Sequence, residues 1–207
     1  MALSYCSVED IKFTLPDIAW PLDKDAMLST LCADASRAID GLTKREPGAF
    51  QVEADTVRYF DGCGSAELWI PGGLADTPTL VEMSNDPANS SYTSIPLNTF
   101  YFFPANAALA EEPYLAIVIN PYNTSGIAIW YGWMRSVRIT GKFGFTKEPP
   151  ALIKRATITQ VCRWYMRGQQ GFQDLGGIAE LGQKTYSRKD VDPDIAISID
   201  NYTQKVV

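Results

Sequence analysis

Histidine, the side chain that most often moves protons or binds zinc in proteins, is absent from this sequence of 207 residues. Its absence removes the Ser–His and Cys–His pairs that activate nucleophiles. The cysteines are the next candidates for metal or redox chemistry, but Cys6, Cys32, Cys63 and Cys162 show neither close pairing nor metal-ligand spacing. We therefore expect no catalytic residue, no metal site and no cofactor, and we predict that the protein is not an enzyme.

Two short motifs have a chemical interpretation, but a structural interpretation explains each of them better. Gly62-x-Gly64 resembles a phosphate-binding loop, yet it lacks the third glycine and precedes a β-rich segment, so it is interpreted as a hairpin turn. Asp192 and Asp194 could ligate a cation, but on either side of Pro193 they are typical of a helix N-cap and an acidic first turn. No pair of carboxylates is singled out for glycoside hydrolysis.

The composition is that of a globular protein, with 46% apolar and 20% charged residues. The formal net charge of −6 argues against a protein that coats nucleic acid, because such proteins are usually basic. Cys32 and Cys162 fall at helical apolar positions and are interpreted as buried, which favours a reducing compartment. The N-terminus lacks a signal-peptide pattern and no apolar run approaches the ~20 residues that cross a bilayer, so no membrane partner is expected.

The longest predicted helix covers residues 149–168. Pro149 and Pro150 suit a helix start, and Gly168 suits a helix end. At about 100° per residue the apolar side chains form two stripes rather than one. One stripe contains Ala151, Ile158, Val161, Cys162 and Tyr165, and the other contains Leu152, Ile153, Ala156 and Trp164. Two stripes predict burial on two sides, either against the helix's own domain and a neighbouring subunit or wholly within a monomer.

A polar seam of Thr159, Arg163 and Arg167 separates the two stripes. The two arginines lie one turn apart, so they could pair with carboxylates of a neighbouring subunit, although a solvated edge fits the pattern as well. If this helix forms a subunit interface, its predicted contact residues are Ile158, Val161, Arg163, Trp164, Tyr165 and Arg167.

Helical patterns flank a β-rich block. Ser7 and Asp10 predict a capping box for a short first helix, and a second helix is predicted from near Asp23. Strands are predicted at 56–60, 66–70, 79–83, 99–103, 115–120, 127–133 and 136–140. The predicted fold class is α+β, with an antiparallel β domain, a sandwich or a barrel, inserted into a small helical domain. That helical domain combines the N-terminal helices, the central helix and a C-terminal segment, and the predicted boundaries are 1–48, 50–146 and 148–207.

Short motifs follow one another in a characteristic order along almost the whole chain. They are Tyr5 with VEDIK at 8–12, ASRAID at 35–40, RYFDG at 58–62, VRITG at 137–141 with FGF at 143–145, and Pro149-Pro150 before the helix through Tyr165. Residues 194–202 complete the order as a closing helix. This order resembles the head–tail connector proteins, also called adaptor or head-completion proteins, of long-tailed phages and gene transfer agents.

The resemblance implies a structural virion protein without catalytic activity. It implies a ring of identical subunits, typically dodecameric, docked beneath the portal protein of the filled capsid. Such a ring extends the channel through which genomic DNA passes without sequence-specific binding, and it presents a platform to a downstream connector, stopper or tail protein. The protein is then expected at the head–tail interface of the virion after synthesis in the host cytoplasm.

The two chain termini are the candidates for contacts with the portal or with the next ring. In the C-terminal segment, residues 192–207, the predicted contact residues are Ile195, Ile199 and Tyr202, which follow one another at helical spacing.

The β-rich block is also rich in aromatic residues, for which three roles remain open. They are Trp69, Tyr101, Phe102, Phe103, Trp130, Tyr131 and Trp133. Such side chains form cores, subunit contacts or platforms that stack on a ligand. The alternative function is therefore an aromatic-rich carbohydrate- or receptor-binding module of a virion.

Overall fold

The computed structural model describes residues 4–16, 18, 20, 24–169 and 193–204. The chain forms two compact units, one from Met1–Pro47 with Ala151–Val207 and one from Gly48–Pro150. The helices are α1 Val8–Thr14, α2 Asp25–Thr43, α3 Ala107–Ala110, α4 Ala151–Gln169 and α5 Pro193–Ile199. The strands are β1 Thr56–Phe60, β2 Glu67–Leu74, β3 Leu80–Met83, β4 Thr93–Ile95, β5 Phe100–Phe103, β6 Tyr114–Ile119 and β7 Val137–Gly141. The predicted α+β class, with an antiparallel β unit inserted in a helical one, is confirmed.

Helix α1 begins at the predicted capping box. The Asp10 backbone N–H donates to Ser7 Oγ at 3.2 Å, and the Ser7 backbone N–H donates to Asp10 Oδ2 at 2.9 Å. Lys154 Nζ of α4 lies 2.9 Å from the other oxygen, Asp10 Oδ1. Burial acts to raise the pKa of Asp10, but the hydrogen bonds from Ser7 and the charge of Lys154 outweigh it, so the pKa lies below its usual value.

The core of the helical unit forms where α1, α2 and α4 meet. It contains Ile11 from α1, Leu28 from α2 and Val161 from α4, all fully buried. The ring of Tyr165 lies 4.9 Å from the ring of Trp20, centroid to centroid. These contacts use one apolar stripe of each helix, which is why α2 follows the predicted spacing of apolar residues.

Two buried thiols lie in this core. Cys6 and Cys32 belong to the same apolar cluster, and Cys162 packs against it partly buried. The neighbouring Cys32 side chain and burial together raise the pKa of the Cys6 thiol, and burial raises the pKa of Cys162. Cys6 and Cys162 therefore stay protonated at neutral pH and behave as small apolar side chains. The predicted burial is confirmed for Cys32, whereas Cys162 is only partly buried.

Polar contacts fix both ends of the helical unit to α2. The Tyr5 backbone N–H donates to the buried Ser36 Oγ at 3.0 Å, and the Tyr5 hydroxyl donates to the Asp40 carboxylate. Just beyond the C-terminal end of α2, Arg45 Nε donates to the backbone oxygen of Tyr202 at 2.7 Å. The C-terminal segment is thus held by a charge-assisted hydrogen bond as well as by its apolar side chains.

The β unit contains two antiparallel sheets that share one core. One sheet has the strand order β1-β7-β3-β4 and the other has the order β2-β6-β5. Their inward side chains form a single buried cluster that includes Leu68, Val81, Ile117 and Ile139. The sheets are not closed into a barrel, so of the two predicted architectures the structure adopts packed sheets.

The predicted hairpin between β1 and β2 is wrong. The two strands lie in different sheets, since β1 pairs with β7 and β2 pairs with β6. The connection between them is packed, because the Gly62 N–H donates to Trp133 O at 3.2 Å and the Gly64 N–H donates to Trp130 O at 3.0 Å. Glycine is needed at position 62 for close approach, since a Cβ there would lie 1.8 Å from the Tyr131 backbone oxygen.

The predicted strand at 127–133 is also wrong. This segment gives its hydrogen bonds to the β1–β2 connection rather than to a sheet, and a tight turn in which the Trp133 N–H donates to Tyr131 O ends any regular pairing. Trp130 is fully buried, and its ring stacks on Phe100 at 5.2 Å between centroids. Strand β4, Thr93–Ile95, lies between the predicted strands 79–83 and 99–103, where no strand was predicted.

Candidate interface surfaces

In the structure, helix α4 has one buried stripe instead of the two predicted. Its buried residues, at helical spacing, are Ile153, Ala156, Thr157, Gln160, Val161 and Tyr165. They come from both predicted stripes and include two polar residues, which the apolar pattern did not reveal. Ile158, Cys162 and Trp164 flank this stripe and are partly buried against the same core. Burial of a second side of α4 against a neighbouring subunit stays a prediction.

The residues predicted to form an interface on α4 therefore differ in their accessibility. Val161 and Tyr165 are buried in the core of their own helical unit, so their side chains are not available to a second copy. Ile158 and Trp164 are partly buried against that core. Arg163 and Arg167 are half-buried, and each makes contacts within the chain.

The C-terminal candidates lie on α5 and the turn that follows it. Ile195 and Ile199 are buried, and α5 packs against α4. Tyr202 lies in the 3₁₀ turn Asp200–Tyr202 and is half-buried. The exposed apolar residue of this segment is Ile197, which the prediction did not include. Residues 170–192, which include the predicted N-cap Asp192, lie outside the described part of the chain, and so do residues 205–207 of the C-terminal segment.

The outer face of α4 carries an accessible surface that sequence reasoning did not single out. Leu152 and Met166 are 46% and 43% exposed. Between them lie Arg155, Thr159 and Arg163, and at about 100° per residue all five positions fall within an arc of about 80°. Arg155 is exposed and has no ion pair among the residues that the structure describes. The face thus combines apolar ends with a basic middle.

A second accessible surface is the outer face of the β2-β6-β5 sheet. Trp69, Tyr101 and Phe103 point away from the core and are 56%, 55% and 51% exposed. Trp69 on β2 and Phe103 on β5 both pair with Ala116 of the central strand β6, and Tyr101 on β5 pairs with Val118 of β6. These side chains therefore form one contiguous aromatic patch across three strands. The alternation of inward Leu68 and Ile70 with outward Glu67 and Trp69 was the sequence signal that could have identified it.

The outer face of the four-stranded sheet is different, because its polar groups are already paired. Arg138 Nε and Nη2 each donate to a Glu82 carboxylate oxygen at 2.6 Å. The Arg138 guanidinium also lies 4.5 Å from the centroid of the Tyr92 ring, and that of Arg135 lies 4.4 Å from the centroid of Tyr59. This face satisfies its own charges, whereas the aromatic patch leaves apolar rings exposed.

Charge is unevenly distributed between the two accessible surfaces. From Tyr59 to Met134 the sequence has seven acidic residues and no lysine or arginine. Helix α4 has four basic residues and no acidic residue. Glu67 lies on the aromatic face, and Glu111 and Glu112 lie in the connection between β5 and β6; all three are exposed and have no ion pair among the described residues.

Neither a metal centre nor a membrane span is found in the part of the chain that the structure describes. No group of three or more cysteine, aspartate and glutamate side chains there is arranged to hold a metal ion. None of the described helices combines the length and the apolar character that crossing a bilayer requires.

Comparison with known proteins identifies the fold. The sequence matches no protein-family profile and no curated protein. Among solved structures, the chain is similar to a protein in the neck of an empty GTA particle computed with C6 symmetry, with a TM-score of 0.57 and 16% sequence identity over 100% of this chain and 92% of that one. It is also similar to a protein in the neck of a native GTA particle computed with C12 symmetry, with a TM-score of 0.54 and 16% identity over 100% and 97% of the two chains. The fold is thus one found in the necks of gene transfer agent particles.

Proposed function

We propose that this protein is a head–tail connector that forms a ring in the neck of a phage or of a phage-like particle. The observation that supports it most is the likeness of the whole chain, both units included, to chains in two reconstructions of such necks. The match covers all of this chain and 92% or more of each neighbour, so it is not confined to one small motif that two chains share by chance. Function remains a separate inference from fold, which is why it needs the test below.

In the proposed assembly the ring is dodecameric and lies beneath the portal protein. The symmetry of the native neck reconstruction, C12, supports this copy number. The opposite side of the ring binds the downstream connector, stopper or tail protein. The protein is synthesised in the host cytoplasm and then resides in the virion at the head–tail interface.

The role in this assembly is structural and not enzymatic. Genomic DNA passes through the ring without being held, and the net charge of −6 supports that role because acidic surfaces repel phosphate. A ring of identical copies also needs two different surfaces per copy that fit each other, and the aromatic patch and the outer face of α4 supply two candidates.

The direct test is the mass and symmetry of the full chain, measured by light scattering and negative-stain electron microscopy, alone and with its cognate portal protein. The expected result is a closed ring with twelvefold symmetry and a mass about twelve times the 22.9 kDa of one chain. A particle that stays at 22.9 kDa in both conditions contradicts the proposal.

The exposed aromatic patch also supports the alternative, a carbohydrate- or receptor-binding module. Trp69 and Tyr101 are better placed for that role than Trp133, which is half-buried and stacks on Tyr131 at 4.9 Å between centroids. Binding on a glycan array that is lost in Trp69→Ala would favour this alternative. A null result across the array, together with ring formation, would leave the connector as the function.

A further inference from the structure

We infer that, in the proposed ring, the aromatic patch of one copy binds the outer face of α4 of the next copy. This inference rests on the proposed ring and adds the two surfaces that close it. The patch is defined by Trp69, Tyr101 and Phe103, and the outer face of α4 by Leu152, Arg155 and Met166.

The apolar parts of the two surfaces match in kind. Three aromatic side chains that are each about half exposed present roughly 300 Å² of apolar surface, which is the size of the largest patch on many soluble proteins. Trp and Tyr are the residue types that dominate the centres of protein interfaces. Leu152 and Met166 lie about 21 Å apart along α4, farther than the patch extends across its three strands, so Met166 supplies the apolar contact to the patch.

The charges of the two surfaces are opposite. Glu67 lies on the aromatic face and has no ion pair among the described residues. Arg155 lies on the outer face of α4 and also has no ion pair among them. The acidic block from Tyr59 to Met134 contains no base, and α4 contains no acid. Some of these charges are paired within the chain, Asp76 with Lys147, Glu82 with Arg138 and Lys154 with Asp10, so Glu67 and Arg155 are the opposite charges that the two surfaces offer each other.

The same charges disfavour the two symmetric contacts. If two aromatic patches met, the Glu67 carboxylates of the two copies would come close together. If two α4 faces met, arginines would face arginines. Like charges brought together at an interface cost free energy. A contact between two different surfaces of identical copies is heterologous, and a heterologous contact is the type that closes into a ring.

The decisive experiment is site-specific crosslinking of the full chain with a short bismaleimide, in a Cys63→Ser, Cys162→Ala background because Cys63 is exposed and Cys162 is partly exposed one turn from Met166. One preparation carries Tyr101→Cys and the other carries Met166→Cys. We expect covalent dimers in the mixture and none in either preparation alone. The matched control is Val57→Cys, which is 52% exposed on the other sheet and should give no crosslink to Met166→Cys.

Assembly measurements complete the test. Trp69→Ser and Arg155→Glu should each raise the concentration needed for rings by about tenfold or more, whereas Val57→Ser should leave it unchanged. Glu67→Arg should weaken assembly, and combining it with Arg155→Glu should restore part of the loss.

The outcomes separate this inference from the proposed function. Rings that form without the Tyr101–Met166 crosslink overturn the inference and leave the connector function standing. Rings in which Tyr101→Cys crosslinks to itself also overturn it, because they show a symmetric contact. Failure of the unmodified chain to form rings, alone or with the portal, overturns both.

Discussion

Replacing Gly62 by alanine tests whether the β1–β2 connection is packed or is a free turn. An ideal Cβ at this position lies 1.8 Å from Tyr131 O and 2.5 Å from Ser136 Oγ. The neighbouring segment must therefore retreat by about 1.5 Å to reach an ordinary contact distance. That movement weakens the hydrogen bonds from the Gly62 N–H to Trp133 O and to Ser136 Oγ, which are 3.2 and 3.0 Å long. Overpacking and two weakened hydrogen bonds together should lower the free energy of unfolding by about 3–5 kcal/mol.

Gly64 supplies the matched control two residues further along. A Cβ there meets no atom within 4 Å, and the only cost of alanine is its positive φ of +71°. Gly64→Ala should therefore lower the free energy of unfolding by about 1 kcal/mol. Both variants are compared with the unmodified chain by urea denaturation followed by tryptophan fluorescence, because the buried Trp130 adjoins the connection. If Gly62→Ala costs no more than Gly64→Ala, the connection is a free turn and the reasoning is refuted.

Three further outcomes are expected. Ser7→Ala should lower the free energy of unfolding of the helical unit by about 1 kcal/mol in urea denaturation, because it removes half of the capping box; an unchanged midpoint would contradict this. The pKa of Asp10 is lower in the folded protein than in the unfolded chain. Its contribution to the free energy of unfolding is therefore complete above the ordinary aspartate pKa and is lost as the pH falls through the lowered value. Asp10→Asn should reduce the loss of stability at acid pH. A thiol reagent should label Cys63 rapidly, and Cys6 and Cys32 only on unfolding, as followed by mass spectrometry; rapid labelling of either buried thiol would contradict the core.

The helical boundaries were predictable because the signals that set them are local. The capping box at Ser7 needs only residues within one turn, and α1 begins where it indicates. The proline pair before α4 gave its start within two residues, since the helix begins at Ala151. The end of α2 was less predictable, because the helix ends at Thr43 and the residue after it that adopts a left-handed conformation is Lys44, with φ 55°, rather than a glycine.

The pairing of the strands was not predictable, because partners are chosen by contacts distant in sequence. A Gly-containing connection of this length permits a hairpin, but it also permits a crossing between sheets, and the choice depends on the segment that contacts Gly62 about seventy residues later. The aromatic and β-branched residues around Trp130 have strand propensity, yet the fully buried ring fixes that segment beside the connection.

The α4 stripes show a limit of apolar patterns for interfaces. Periodicity identifies which side of a helix is buried, but partly buried flanking residues widen the stripe until it looks like two. Thr157 and Gln160 are buried in α4 and carry no apolar signal. Leu152, Met166 and the rings on the β2-β6-β5 sheet are among the exposed apolar side chains, and the structure was needed to separate them from the inward residues of the core.

Charge segregation is the one sequence feature that points beyond a single chain. Glu67 on the aromatic face and Arg155 on α4 have no ion pair among the described residues, and bringing the two opposite charges together stabilises a contact between copies. In an open row of identical copies, each interface brings one acidic surface against one basic surface. The copies at the two ends of the row each keep one such surface exposed. Closure removes both ends at once, so the last contact stabilises a ring more than it would stabilise a longer row. Under the proposed function, this is the physical reason for a closed assembly rather than an open filament.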